Sequence, residues 1–172
     1  MRAFVAIEIA DEDPGRAPAH LTVRFLGDVG GADLERIVPA LSAAAGEIAP
    51  FDLTLGGLGA FPSPTRPRVV WVGVRAGADR VREVAARVAD ALERVGVPPE
   101  AGEFVPHVTL FRVRSPRDIA RARALLDGTA PPPPGRTVAV PGIVLKESVL
   151  APDGPRHRVI RTFPFAPAPG RD

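Results

Sequence analysis

Three histidines occur in this 172-residue chain, and two of them sit in near-identical surroundings. "PAHLTVRFL" (18–26) and "VPHVTLFRV" (105–113) each place a threonine two residues after a histidine, inside an apolar, strand-like run. On a strand, residues i and i+2 project from the same face. His20 and Thr22 are therefore predicted to stand together, with Leu21 and Val23 opposite. His107 and Thr109 are predicted to pair likewise, with Val108 and Leu110 opposite. Polar groups on such a face need hydrogen-bond partners or water, which a wet cleft supplies and a dry core does not.

The chemistry these residues suit is acid–base catalysis. An imidazole with a pKa of about 6.5 accepts or donates a proton at neutral pH. With two across a cleft, one removes a proton from a nucleophile while the other protonates a leaving oxygen. The threonine hydroxyls beside them can donate to the non-bridging oxygens of an anion held between. A phosphodiester, above all a strained cyclic one, fits this set without a metal. One His-x-Thr alone is a weak signal, because a satisfied core histidine reads the same way; a second copy at an equivalent place carries the weight. A metal site is less well supported. Two histidines are too few for a closed zinc site, no H-E-x-x-H or carboxylate cluster lies near either, and His157 sits near a turn with nothing to demand a third ligand. No cofactor is implied.

The elements that must position these residues can be traced along the chain. "RAFVAIEI" (2–9) reads as a strand buried on both faces, and "HLTVRFL" is a second strand. "ADLERIVPALSAAAG" follows with helical spacing, Asp33 as its N-cap and Gly46 as its stop; Pro39 should kink or split it. "FDLTLGGLGAF" (51–61) and "RVVWVGV" (68–74) are strands joined by a rigid "PSPTRP" loop (62–67). A helix over about residues 79–95 then shows one apolar face of Val81, Val84, Val88, Leu92 and Val95, ended by Gly96. After the second His-Thr strand, "SPRDIARARALLDG" opens with Ser115 as cap, Pro116 at the first helical position and Asp118 as the capping-box acid. "APPPPG" is a stiff spacer. Two last strands, "RTVAVPGIVLKESVLA" and "HRVIRTFPF", are joined by a turn at "PDGP".

The two halves follow one order: His-Thr strand, helix, strand, turn, strand. His20 to His107 and Thr22 to Thr109 are both 87 residues apart, which is the signature of internal duplication. The chain is thus expected to form a single bilobal domain over 1–172, with pseudo-repeats at about 2–74 and 68–165 whose equivalent residues meet in one central cleft. The first lobe departs from the pattern. Only "ADEDPGRAPA" separates Ile9 from His20, where the second lobe has its long helix, so the first-lobe helix is expected to be missing.

Composition narrows the setting. There is no cysteine, which excludes disulfides, thiolate metal sites and cysteine nucleophiles. The pI is near 10.2, and the basic residues are almost all arginine, with Lys146 the single lysine. That choice suits bidentate phosphate contacts, although a genomic composition bias gives the same picture. With no cleavable-signal layout and no apolar run of membrane-spanning length, a cytoplasmic protein that does not engage membranes is expected.

Taken together, "HLTVRFLGDV" and "PHVTLFRV" resemble the paired signature motifs of the two-histidine phosphoesterases. The likeness is strongest to the RNA 2′,3′-cyclic phosphodiesterases, also called 2′-5′ RNA ligases. "RAFVAIEI", "GLGAFPSPTRPRVVWVGV" and "ESVLAPDGPRHRVIRTFPF" extend it over about residues 2–165. The resemblance implies a bilobal α+β fold, with two antiparallel sheets flanking the cleft and helices outside. It also implies metal-independent opening of a 2′,3′-cyclic phosphate at an RNA end to leave a 2′-phosphate, with 2′-5′ ligation as the reverse reaction. RNA ends, tRNA-like fragments among them, are the implied partners of a monomer or weak homodimer.

Carried over by position, His20 and His107 are the catalytic pair, Thr22 and Thr109 hold the phosphate, and Arg112 binds it after the second motif. His107 is expected to activate water and His20 to protonate the leaving 3′-oxygen. Phe4 matches a family aromatic that would stack on a terminal base, with core packing the competing reading. Arg24, at i+4 from His20, is read as adding charge to the cleft or as a solvated edge position. Trp71 is read as core, and His157 is given no role. Two other readings stay open: a non-catalytic module that binds RNA ends or nucleotides, and a phosphodiesterase for a small cyclic nucleotide.

Overall fold

The computed structural model describes residues 1–9, 19–152 and 154–167. Among them, eight strands and three helices follow the order β1 (Arg2–Ile9), β2 (Ala19–Asp28), α1 (Gly31–Gly46), β3 (Phe51–Ser63), β4 (Arg66–Ala76), α2 (Ala78–Arg94), β5 (His107–Arg112), α3 (Pro116–Leu126), β6 (Arg136–Val140), β7 (Gly142–Ala151) and β8 (Gly154–Pro164). The fold is α+β. The strands form one antiparallel sheet in the order β6-β3-β4-β5-β2-β1-β7-β8. The two sheets expected from the sequence are thus joined, and the join is narrow. β2 and β5 share a single paired position, Leu21 opposite Val108. On either side of this seam lie four strands, each set led by a His-Thr strand.

Strand parity decides which side chains meet. Ala3, Val5, Ile7 and Ile9 alternate onto the face that carries the main core, as period-2 burial requires. Leu21 and Val108 belong to the same core, together with Ile37, Leu41 and Ala45 of α1 and Val81, Val84, Val88 and Leu92 of α2. These two helices therefore cover one face of the sheet. Phe4 and Ala6 point the other way and form a separate small cluster with Val144. Of the apolar face predicted for α2, Val81, Val84, Val88 and Leu92 are buried while Val95 is the half-buried C-cap, and Gly96, at φ +86°, follows it. Ser115 and Asp118 close a reciprocal capping box on α3.

Several local expectations are corrected. Asp33 is not the N-cap of α1. It sits at the third helical position, and its carboxylate accepts from the Gly30 N–H at 3.0 Å. Pro39 does not split this helix, which runs through it as one element. Pro39 and Glu35, whose carbonyl loses its helical donor, are both exposed, so the freed carbonyl lies on the solvent side of the helix, where its loss of a partner costs least. Most of the "PSPTRP" loop is strand, with the reversal confined to Pro64 and Thr65. "RTVAVPGIVLKESVLA" is two strands. Pro141, which has no N–H to offer a ladder, breaks it, and β6 pairs with β3 while β7 pairs with β1, in opposite halves of the sheet. The missing first-lobe helix concerns residues 10–18, which lie outside the described residues.

Candidate active site

The seam builds the site. In an antiparallel pair, opposed residues share a face and their neighbours along each strand take the other. Leu21 and Val108 face the core beneath α1 and α2, so His20, Thr22, His107 and Thr109 all project from the opposite face. One backbone pairing thereby gathers four residues from two distant parts of the chain. Thr109 is exposed, while His20, Thr22 and His107 are partly so.

Each histidine is walled by aromatic rings. The His107 imidazole lies edge-on to Phe61 of β3 with centroids 4.9 Å apart, and 5.8 Å from Trp71 of β4. Trp71 is directly opposite Gly59, and a Cβ there would fall 2.2 Å from the indole, so only glycine lets the ring lie across β3. Trp71, expected in the core, stands instead on the histidine side of β4 and is partly exposed. The His107 Nδ1 is 2.7 Å from the Val105 carbonyl oxygen. A carbonyl only accepts, so Nδ1 carries a proton and Nε2 is the nitrogen that exchanges one. His20 packs against Phe4 at 5.1 Å and against His157 at 4.7 Å. Burial pushes the His20 pKa down to about 4, with the nearby charges of His157 and Lys146 adding to the effect. Burial, and then Lys146, also holds His157 below the ordinary histidine range.

A bulge follows each motif at the same place. β1 pairs Ala6 with Thr22 and Val5 with Arg24, skipping Val23. β4 pairs Trp71 with Thr109 and Val70 with Phe111, skipping Leu110. An extra residue reverses the alternation beyond it. Arg112, five residues after His107 and opposite Val69, thus returns to the His107 face despite its odd spacing. By the same logic Arg24 leaves the cleft. It is 6 % exposed, and its guanidinium donates to the Pro98 carbonyl and lies 3.9 Å from Glu100. Its charge holds the segment leading into β5 and is not presented to the site.

The residue in β2 equivalent to Arg112 is Phe25, five after His20 and opposite Phe4. It is 60 % exposed on the face that carries His20. Phe4 itself is 3 % exposed, its ring committed to His20, Phe25 and His157. The expectation that Phe4 stacks on a base is therefore corrected: it backs His20, and the accessible ring is Phe25. Straight strand alternation would turn Phe25, five residues on, to the face away from His20, and the sequence reading gave it no role; the 87-residue spacing that aligns it with Arg112 is the signal that finds it. Among the described residues no three histidine or acidic side chains come together in a metal-binding arrangement. No described helix is long and apolar enough to cross a membrane.

An antiparallel α+β sheet with one His-x-Thr pair from each half on a single face is the arrangement of a two-histidine phosphoesterase. The chain belongs to the 2′-5′ RNA ligase superfamily, whose family model matches residues 6–144. It is 40 % identical over 141 residues to the RNA 2′,3′-cyclic phosphodiesterase of Aeropyrum pernix, covering 82 % of this chain and 78 % of that one. It is 34 % identical over 148 residues to the protein of the same name from Archaeoglobus fulgidus, covering 84 % and 78 %. Among solved structures, Thermus thermophilus TT0787 superposes with a TM-score of 0.76 at 26 % identity, over 97 % of this chain and 99 % of that one. E. coli LigT in complex with 3′-AMP gives 0.68 at 27 % identity, over 95 % and 97 %.

Proposed function

We propose that this protein is an RNA 2′,3′-cyclic phosphodiesterase that opens a terminal cyclic phosphate to a 2′-phosphate using side chains alone. The observation that carries this reading is the seam, where Leu21 opposite Val108 turns both His-Thr pairs onto the face away from α1 and α2. His107, its Nδ1–H held by the Val105 carbonyl, offers Nε2 to take a proton from water. The water oxygen bonds to phosphorus as the bond to the 3′-oxygen breaks, and His20 supplies the proton that this oxygen needs. Thr22 and Thr109 donate to the non-bridging oxygens, and Arg112 adds a fixed positive charge. His20 resists protonation in the free protein. A bound phosphodiester anion favours its charged form, so the acid is armed as substrate arrives. Phe25 offers its exposed ring to the terminal base, a contact typically worth about 1–3 kcal/mol. Ligation would use the same two imidazoles: the 5′-OH of a second RNA takes the place of water, gives its proton to His107 and bonds to phosphorus as the bond to the 3′-oxygen breaks, and His20 protonates that oxygen, leaving a 2′-5′ linkage.

The test is an RNA oligonucleotide ending in a 2′,3′-cyclic phosphate, incubated with the protein in EDTA. Conversion to the 2′-phosphate is expected, with His20→Ala and His107→Ala each slowing it by about 10²–10⁴. No conversion by the wild type removes the reading. Binding without turnover favours a recognition module, and faster opening of cyclic mononucleotides than of the oligonucleotide favours a small-molecule enzyme.

A further inference from the structure

The third histidine belongs to the same site, though nothing in its sequence setting marks it. His157 lies on β8, three strands from β2 in the sheet order. At a strand spacing of about 4.8 Å, a flat sheet would separate their backbones by about 14 Å. The two imidazole centroids are nevertheless 4.7 Å apart, at 73° to one another. His157 also meets Phe4 edge-on, at 5.1 Å and 75°, and Phe4 meets His20 at 5.1 Å. Three rings thus touch pairwise, with Phe4 buried, His20 partly buried and His157 exposed.

We propose that His157 is a positioning residue for His20: its ring fixes the orientation of the His20 imidazole against Phe4, and its charge limits the two histidines to one proton between them. The proposal rests on the reading of His20 as the acid of a phosphodiesterase.

The charges facing His20 can be named element by element. Glu8 of β1 is its cross-strand partner. The Lys146 ammonium of β7, 3 % exposed, is 2.7 Å from the Glu8 carboxylate, and its charge opposes a proton on both His20 and His157. His107 of β5 stands across the seam, and His157 of β8 closes the cluster. Of these, His157 is the titratable group in ring contact with His20. Two imidazolium rings at this distance repel, and partial burial strengthens the repulsion. In the free site burial is the larger cause that keeps His20 neutral and a proton on His157 adds to it, whereas a phosphate anion in the cleft favours the charged form of His20.

Two variants separate the two parts of the proposal. His157→Phe keeps a ring and removes the charge; His157→Ala removes both. The readouts are the NMR titration midpoint of the His20 imidazole without substrate, and the pH profile of kcat/KM on a 2′,3′-cyclic nucleotide. In His157→Phe the His20 midpoint is expected to rise, and the acidic limb of kcat/KM to move upward in pH with it. A midpoint that stays put or falls overturns the charge coupling. His157→Ala is expected to show kcat about tenfold or more below His157→Phe, because a loosened imidazole no longer meets the reacting oxygen. Equal kcat in the two variants overturns the positioning part, as does an equal spread of His20 ring signals. The titration needs no turnover, so a wild type inactive on cyclic phosphates would sink the functional reading while leaving the coupling decided. Should His157→Ala not fold, ring-signal dispersion in wild type and His157→Phe decides the clamp.

Discussion

Gly59 tests how the second half of the site is held. Its Cα is paired with that of Trp71, and the indole lies flat over the space where a side chain would stand. A Cβ at residue 59 would be 2.2 Å from Cζ2, 2.3 Å from Cη2 and 2.7 Å from Cε2 of that ring. No adjustment of a few tenths of an ångström relieves three such overlaps, so Gly59→Ala must swing the whole indole. The ring cannot turn freely: Phe61 is 5.2 Å away on one side and His107 5.8 Å on another. Forcing an extra carbon into such packing costs about 1–3 kcal/mol, which for a domain of this size lowers Tm by roughly 2–12 °C. Trp71 is the single tryptophan of the chain, so intrinsic fluorescence reports its displacement directly. The expected result is a shifted emission maximum, a lower Tm, and slower turnover because His107 loses a wall. Unchanged emission with stability within about 0.5 kcal/mol of wild type would show that the indole does not depend on the glycine, and would refute the reasoning.

Three further outcomes follow from the geometry. The His20 pKa is about 6.5 unfolded and about 4 folded, so the unfolded chain binds the extra proton; the stability His20 contributes is complete above pH 6.5 and lost as pH falls toward 4. Urea denaturation at pH 7 and pH 4.5 should therefore show a drop smaller by on the order of 1–3 kcal/mol in His20→Asn than in wild type; an equal drop would contradict it. Phe25→Ala should leave Tm nearly unchanged, since the ring is 60 % exposed, and raise KM for a cyclic-phosphate oligonucleotide by a factor of about 5–150, the equivalent of one lost base stack; an unchanged KM would assign Phe25 no contact with substrate. Pro39→Ala restores a donor to the Glu35 carbonyl and should raise the urea midpoint, by up to about 3 kcal/mol of stability with an unchanged m-value; a lower midpoint would mean the proline is favoured by its exposed turn of α1.

Much of this protein was legible in its sequence because local periodicity carries local structure. Arg2–Ile9 is a continuous apolar run and became β1 with those bounds. The Val81–Leu92 spacing fixes the buried face of α2, and Ser-Pro-x-Asp caps α3. The two His-x-Thr motifs pointed to acid–base chemistry through residue type, spacing and repetition alone.

Where alternation broke, only the tertiary structure decided. A single extra residue after each motif exchanges the two faces of a strand. That moved Arg24 into the interior, returned Arg112 to the face that carries His107 and exposed Phe25, because period-2 reasoning carries no memory of a bulge. The split at Pro141 depends on which partner each segment finds, and His157 reaches His20 from three strands away. Residue types and near-neighbour spacing are properties of the chain. Which rings touch, and therefore which imidazole is kept neutral, depends on how the strands pair and on the desolvation that pairing imposes.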